Sequence, residues 1–299
     1  MAWQEYLFAN SVAEALALLQ RYDGQARLIA GGTDLALQLQ KGERTARCLV
    51  DVTRIAGLQD IRLVGEEIVI GAAVTHAAIA ASPLIAARAK VLQEAALSVG
   101  TPQIRNVGTL AGNVVSAQPG ADGSLALLAL DATLDVVDLA GNTRRVPVAE
   151  AFVRPDVSTI DPRREMITLI RLPALAAHQA SAYGRMAKRR ASALPVLAVG
   201  VVISTEQKTK SIAQRFGWVR IALGPVALTP YRARRAEEVL RGAAISSPAI
   251  EQAAQVASQE AQPRSSVLRG SREYRQEMVR VYVRRTLEAA VGRVTRDEG

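Results

Sequence analysis

Two short runs in this 299-residue chain place small, backbone-permissive residues beside hydroxyls and amides. The first is Gly31-Gly32-Thr33-Asp34. The second is Thr109-Leu110-Ala111-Gly112-Asn113, with Asp122 nine residues after Asn113. Glycine has no Cβ, so its backbone can approach a ligand closely. Thr33, Thr109 and Asn113 add groups that suit phosphate and sugar oxygens, and Asp122 can accept from hydroxyls, a role that a lysine could not fill. The chemistry on offer is the binding of an anionic, hydroxyl-rich ligand. Each run alone also fits a plain reading: the first as a βα turn capped by Thr33 or Asp34, the second as a helix–loop–helix connection. Neither matches the dinucleotide pattern GxGxxG or the phosphate-loop pattern GxxxxGK[ST].

Other chemistries are poorly supplied. Cys48 is the single cysteine, which excludes an intrachain disulfide and a four-cysteine iron–sulfur or zinc site. His76 and His178 lie about a hundred residues apart, so a multi-histidine metal site is not expected. A Ser-His-Asp hydrolase lacks its nucleophile-elbow signature. The net charge of +9 is dispersed, apart from Lys188-Arg189-Arg190, which reads as a solvated turn or a contact point for a ligand or partner. Aromatics make up only 4% of the chain and do not interleave with the basic residues, which speaks against nucleic-acid binding. The N-terminal MAWQEYLFAN has no secretory pattern. The apolar run from Ala193 to Ile203 is too short to span a bilayer, so a cytoplasmic protein is expected, with at most peripheral membrane contact.

The elements that must position the two runs follow from pattern. Ser11-Val12-Ala13-Glu14 is a capping box that opens a helix closed by Gly24. Arg27 to Ala30 reads as a buried strand that feeds the first glycine run, with a helix after it through Leu37 and Leu39 and a strand at Cys48 to Val52. Leu58 to Val64 and Ile68 to Val74 form a hairpin. Thr75 caps a short helix containing His76, which as a lone histidine reads as a packed residue. Ser82-Pro83 starts one helix that runs to Gly100. After the second run come a helix at Ser124 to Leu130, a hairpin around Gly141-Asn142 and a strand at Met166 to Leu172. Strands at Ser181 to Lys188, Pro195 to Ile203 and Trp218 to Leu223 follow, the last two joined by the polar loop Glu206 to Arg215. Helices then start at Arg232, Pro248 and Arg272.

Two glycine-bearing loops about eighty residues apart, bracketing a two-part α/β region with a small α+β domain behind, give a chain that resembles the FAD-binding medium subunit of the molybdenum hydroxylases. These are enzymes of the carbon monoxide dehydrogenase and xanthine dehydrogenase type. The resemblance runs from about Tyr6 to about Leu287. It rests on Ile29-Ala30-Gly31-Gly32-Thr33-Asp34-Leu35 and Gly108-Thr109-Leu110-Ala111-Gly112-Asn113, supported by Ile70-Gly71-Ala72, Thr75-His76, Gln103-Ile104-Arg105, Arg189-Arg190-Ala191 and Ile221-Ala222-Leu223-Gly224.

The fold that the resemblance implies is α+β. A PCMH-like, two-part α/β FAD-binding domain occupies 1–55 and 56–175. A small α+β domain with a three-stranded antiparallel sheet and helices occupies 176–290, and a tail 291–299. Diphosphate contacts are implied from Ala30, Gly31, Gly32, Thr33 and Asp34, flanked by Leu28, Ile29 and Leu35. Further FAD contacts are implied from Thr109, Leu110, Ala111, Gly112, Asn113 and Asp122, with Ile167 near the adenine and Val99 and Arg185 in the flavin pocket. The chain departs from the family at Ala111, where a glycine is usual; a positive φ there would cost about 1 kcal/mol. It departs again at Ala193, where many members carry aspartate, leaving Leu194 to pack on the isoalloxazine ring.

The implied function is an electron-transfer flavoprotein subunit that holds FAD non-covalently. It would take electrons from a small [2Fe–2S] subunit and pass them to an external acceptor. A large subunit would hold molybdopterin and choose the substrate, and the assembly would be a dimer of heterotrimers. No residue of this chain needs to be a general base. The alternative is a self-contained FAD-dependent oxidase or dehydrogenase, which would need a larger substrate domain. A third reading, a basic nucleic-acid-binding protein, would show steeply salt-dependent DNA affinity.

Overall fold

The computed structural model describes residues 3–189, 193–206 and 214–294. Arg190, Ala191 and Ser192 of the basic segment, residues 207–213 of the polar loop and residues 295–299 of the tail lie outside the described residues.

The architecture is mixed α and β, as expected, and is built on three main sheets. The first is parallel, with β1 (Glu5–Phe8), β2 (Ala26–Ile29) and β3 (Cys48–Asp51) in the order β1-β3-β2. β3 is buried along its whole length because it is the central strand. The helix α1 (Val12–Arg21) packs Ala15, Leu16 and Leu19 inward. Half of the expected capping box forms: Ser11 Oγ accepts from Glu14 N at 3.1 Å, but Glu14 Oε2 reaches one residue further back and accepts from Asn10 N at 2.8 Å, not from Ser11 N. The glycine run leaves β2 and enters α2 (Leu35–Gln40).

The second sheet combines β4 (Ile61–Val64), β5 (Glu67–Gly71), β6 (Thr133–Asp138) and β7 (Thr143–Pro147) with the later β10, in the order β4-β5-β10-β6-β7. The small hairpin β8 (Phe152–Arg154) and β9 (Val157–Ser158) precedes β10 (Glu165–Pro173). Between β5 and β6 lie α3 (His76–Ala81), α4 (Pro83–Arg88), α5 (Lys90–Ser98), α6 (Pro102–Val107), α7 (Leu110–Val115) and α8 (Asp122–Ala129). The single helix expected after Ser82-Pro83 is thus two. It breaks at Ala89, with φ −156° and ψ 52°. The reason is tertiary: Val91 N donates to Ser181 Oγ at 3.0 Å instead of to the preceding turn.

The third sheet is antiparallel, with β11 (Gln179–Ala187), β12 (Pro195–Thr205), β13 (Phe216–Gly224) and β14 (Tyr231–Arg232) in that order. It has four strands, not the three expected. The extra one is two residues long, paired to Ala222 and Leu223, and so too short to show a period. α9 (Arg234–Leu240), α10 (Ser247–Glu260) and α11 (Arg272–Val294) cover it. The last helix runs four residues past 290, and Val294 is buried. No helix among the described residues is long and apolar enough to cross a membrane.

α8 and β12 join the halves of the molecule. Every residue of α8 is buried, because α5 covers one side while β12 and β13 cover the other. All eleven residues of β12 are buried for the same reason. Ala198 and Val202 join the core around α8, whereas Leu197, Val199, Val201 and Ile203 join the core under α10 and α11. This is the period-two split of a strand covered on both faces. The added Cβ of a residue at Gly200 would lie 3.3 Å from Ala129 Cβ, so the strand sits close on the helix.

Candidate functional site

The first loop is shaped by what its glycines permit. A Cβ on Gly31 would lie 1.9 Å from the carbonyl oxygen of Val107 and 2.8 Å from Gly108 N. Gly31 is therefore where the first loop touches the backbone that leads into the second. Gly32 has φ +64°, in the left-handed region that glycine occupies without strain. Asp34 holds the N-cap position of α2 but makes no side-chain cap bond.

The second loop is pinned from below. Leu110 N donates to Val74 O at 3.2 Å, and His76 N donates to Gly108 O at 2.9 Å. Thr109 caps α7, its Oγ1 accepting from Gly112 N at 3.1 Å, which leaves the hydroxyl proton able to donate elsewhere. Asn113 Oδ1 accepts from Ser124 N at 2.9 Å, which turns its amide nitrogen into the donor end. Ala111 lies in the helical segment with its side chain in the core, and it is not among the residues with positive φ. The feared cost of an alanine there does not arise.

Both loops face one cavity of about 820 Å³. Leu28, Ile29, Ala30, Gly31, Gly32, Thr33, Asp34, Leu35, Val99, Thr109, Gly112, Asn113, Asp122 and Arg185 all line it. Leu110, Ala111 and Ile167 do not: the first two point into the core, and Ile167 is packed on β10 beside Val136 of β6. Ile160, seven residues earlier, lines the wall instead.

At one end of the cavity Asp122, the first residue of α8, accepts from Tyr183 Oη at 2.6 Å and pairs with Arg185 Nε at 3.0 Å. Burial raises the Asp122 carboxyl above the usual carboxylate range, and Arg185 and Tyr183 offset only part of that rise. Arg185 also donates to the carbonyl of Ala193, and Ala193, Leu194 and Pro195 complete this end. Leu194 is 71% exposed. At the other end Arg27, Arg44, Asp156, Asp161 and Arg163 gather. Arg44 Nη2 donates to Asp156 O at 2.6 Å, and Leu28 N donates to Pro162 O at 3.0 Å. Arg27 Nε is buried without a hydrogen-bond partner. Burial, with Arg44 and Arg163 nearby, lowers the pKa of Arg27. Sequence reasoning missed this basic end, Tyr183 and the wall position of His76. The local signals were Arg27, four residues before Gly31, and the Thr75-His76 pair that supports the resemblance.

Residues 2–175 match the family described as "FAD binding domain in molybdopterin dehydrogenase", and residues 182–290 match the "CO dehydrogenase flavoprotein C-terminal domain". This chain belongs to the FAD-binding flavoprotein subunits of the molybdenum hydroxylases. It is 35% identical over 289 residues to the 6-hydroxypseudooxynicotine dehydrogenase complex subunit alpha of Paenarthrobacter nicotinovorans, covering 97% of this chain and 95% of that one. It is 33% identical to the carbon monoxide dehydrogenase medium chain of Hydrogenophaga pseudoflava, covering 97% of each. The solved carbon monoxide dehydrogenase of that organism, which lacks the Mo-pyranopterin moiety, superposes with a TM-score of 0.88 at 32% identity, again over 97% of each chain. Members of this flavoprotein family are oxidoreductase subunits, and the chain is one of them.

The residues present fit FAD. The cavity is of the size that small-molecule cofactors fill. Its middle is lined by glycine backbone and short hydroxyl side chains, and among the described residues its two ends hold the charged side chains of the wall apart from Asp34. Among the described residues no cluster of His, Cys, Asp and Glu is built to hold a metal ion.

Proposed function

We propose that this flavoprotein subunit holds FAD non-covalently along the cavity and relays electrons from a [2Fe–2S] subunit to an external acceptor. The observation that carries the reading is the convergence of two sequence-distant loops on one cavity, brought into backbone contact at Gly31 and Val107. Gly31, Gly32, Thr33 and Asp34 on one side and Thr109, Gly112 and Asn113 on the other would hold the diphosphate and its neighbouring hydroxyls. Val99, Asp122, Arg185 and Leu194 would surround the flavin, and Arg27, Ile160 and Arg163 the adenine end. Bound FAD supplies two-electron uptake and release in one- or two-electron steps. The protein's part is to bind and orient it and to hold the Asp122 carboxyl in place through Arg185 and Tyr183.

Non-covalent attachment is supported by Cys48 being fully buried in β3, away from the cavity wall. The partners in this reading are a small [2Fe–2S] subunit and a large molybdopterin subunit, arranged as a dimer of heterotrimers. The subunit names of the relatives support a multi-subunit assembly. The compartment assigned is the cytoplasm. Purification of the complex tests the proposal. FAD should be released on denaturation, and Gly32→Val should lower FAD content while the iron–sulfur signals persist. Unchanged FAD content in that variant would show the loops to be wrongly assigned.

A further inference from the structure

One polar side chain of the cavity wall has no part in the assignments above. His76 opens α3, and its cap residue Thr75 accepts from Ala78 N at 3.2 Å. The side chain is only 2% exposed, yet it lines the cavity. Its Nδ1 is buried with no hydrogen-bond partner. A Cβ on Gly108 would lie 3.5 Å from His76 Cδ2 and 3.7 Å from Thr33 Oγ1. A Cβ on Gly123 would lie 3.4 Å from His76 Cε1 and 2.9 Å from Asn113 Oδ1. Cδ2 and Cε1 are the two carbons that flank Nε2. The Nε2 edge of the ring therefore lies between Gly108 and Gly123, neither of which has a side chain to cover it, and Thr33 Oγ1 and Asn113 Oδ1 approach those same two positions.

A neutral imidazole carries one N–H. A proton on Nδ1 would bury a donor with no partner, which folded proteins avoid more strictly than an unused lone pair. The proton therefore belongs on Nε2. Burial, reinforced by the Arg105 guanidinium, pushes the pKa down to about 4, so the ring is uncharged at neutral pH. An uncharged donor at this edge suits an oxygen of the ligand backbone that both loops embrace.

We propose that His76 is a cofactor-binding residue whose Nε2–H donates to a phosphate oxygen of the bound FAD. This rests on the FAD reading of the cavity. The test titrates the flavin-free full chain with FAD and, separately, with ADP, which carries the diphosphate without the flavin. His76→Leu removes the donor, whereas His76→Gln keeps an amide N–H near the place of Nε2. In His76→Leu, affinity for both FAD and ADP should fall about tenfold or more, and in His76→Gln it should stay within about threefold of wild type. Wild-type affinity in His76→Leu overturns the proposal, as does equal loss in both variants, which would mean a packing role. So does weakened FAD with unchanged ADP, which would move the contact off the diphosphate. A wild-type chain that takes up no FAD would sink the FAD reading first and this proposal with it. Nitrogen NMR adds a readout that needs no leucine variant, since the chain has only two histidines. The Nε2–H tautomer with a shift on FAD addition is expected; the Nδ1–H tautomer would refute the assignment.

Discussion

Gly31→Ala is the sharpest perturbation of the site. The new Cβ would lie 1.9 Å from Val107 O and 2.4 Å from Val107 C, below the 3.0 Å that real Cβ contacts respect. Both obstacles are backbone, so no rotamer change relieves them, and the loops must part by roughly an ångström or more in a close-packed region. Overpacking of this kind costs about 1–3 kcal/mol of stability. Parting the loops also pulls the two halves of the proposed diphosphate site away from each other, so FAD affinity should drop about tenfold or more. Gly112→Ala is the control. Its Cβ would meet only the Thr109 hydroxyl, at 3.0 Å, and it sits in the interior of α7, where alanine gains up to about 1 kcal/mol over glycine. That variant should fold as well as wild type and lose FAD affinity alone, because Gly112 faces the cavity. Urea unfolding followed by the fluorescence of Trp3 and Trp218 reads stability, and FAD titration reads binding. A Gly31→Ala protein as stable and as flavin-competent as wild type would refute the reasoning.

Three further outcomes are expected. The His76 pKa is depressed from 6.5 to about 4, so stability present above pH 6.5 should be lost as pH falls from 6.5 toward 4, by up to roughly 3 kcal/mol. Urea midpoints across that range should show this slope in wild type and not in His76→Gln; parallel curves would contradict it. Asp122→Ala leaves Arg185 and Tyr183 facing a void at a buried ion pair, and should lower stability by about 3 kcal/mol, with an unchanged urea midpoint as the contrary result. Glu94 on α5 accepts from Tyr183 N at 3.0 Å and pairs with Arg293 on α11, tying the second sheet's helices to the third sheet. Being partly exposed, that bridge should contribute about 1 kcal/mol, so Glu94→Gln should lower the melting temperature slightly and leave FAD content unchanged.

The parts of the molecule that the sequence revealed are those with local causes. The Ser11 cap, the strand before Gly31 and the two glycine runs each need particular residues at particular offsets, and these are visible in a string of letters. What escaped was decided by neighbours distant in the chain. The break at Ala89 answers to Ser181, and β14 exists only as an edge for β13. Ile160 lines the wall in place of Ile167 because β10 turns the latter into the core beside β6. Tyr183 reaches Asp122 across sixty-one residues, and nothing in its own surroundings marks it. Ala111 was suspect as a motif letter, yet it is ordinary as a helical residue. The motif required a close approach at Gly31 and an open face at Gly112, and the position between Leu110 and Gly112 only had to pack.

The central claim is one FAD per chain, held without a covalent bond between the two loops. Equilibrium titration of the flavin-free full-length chain with FAD, with the stoichiometry read from flavin absorbance, tests it most directly. The account predicts saturation at one FAD per chain and complete release of the flavin on acid denaturation. A chain that takes up no FAD, or a flavin that stays with the denatured polypeptide, would contradict it.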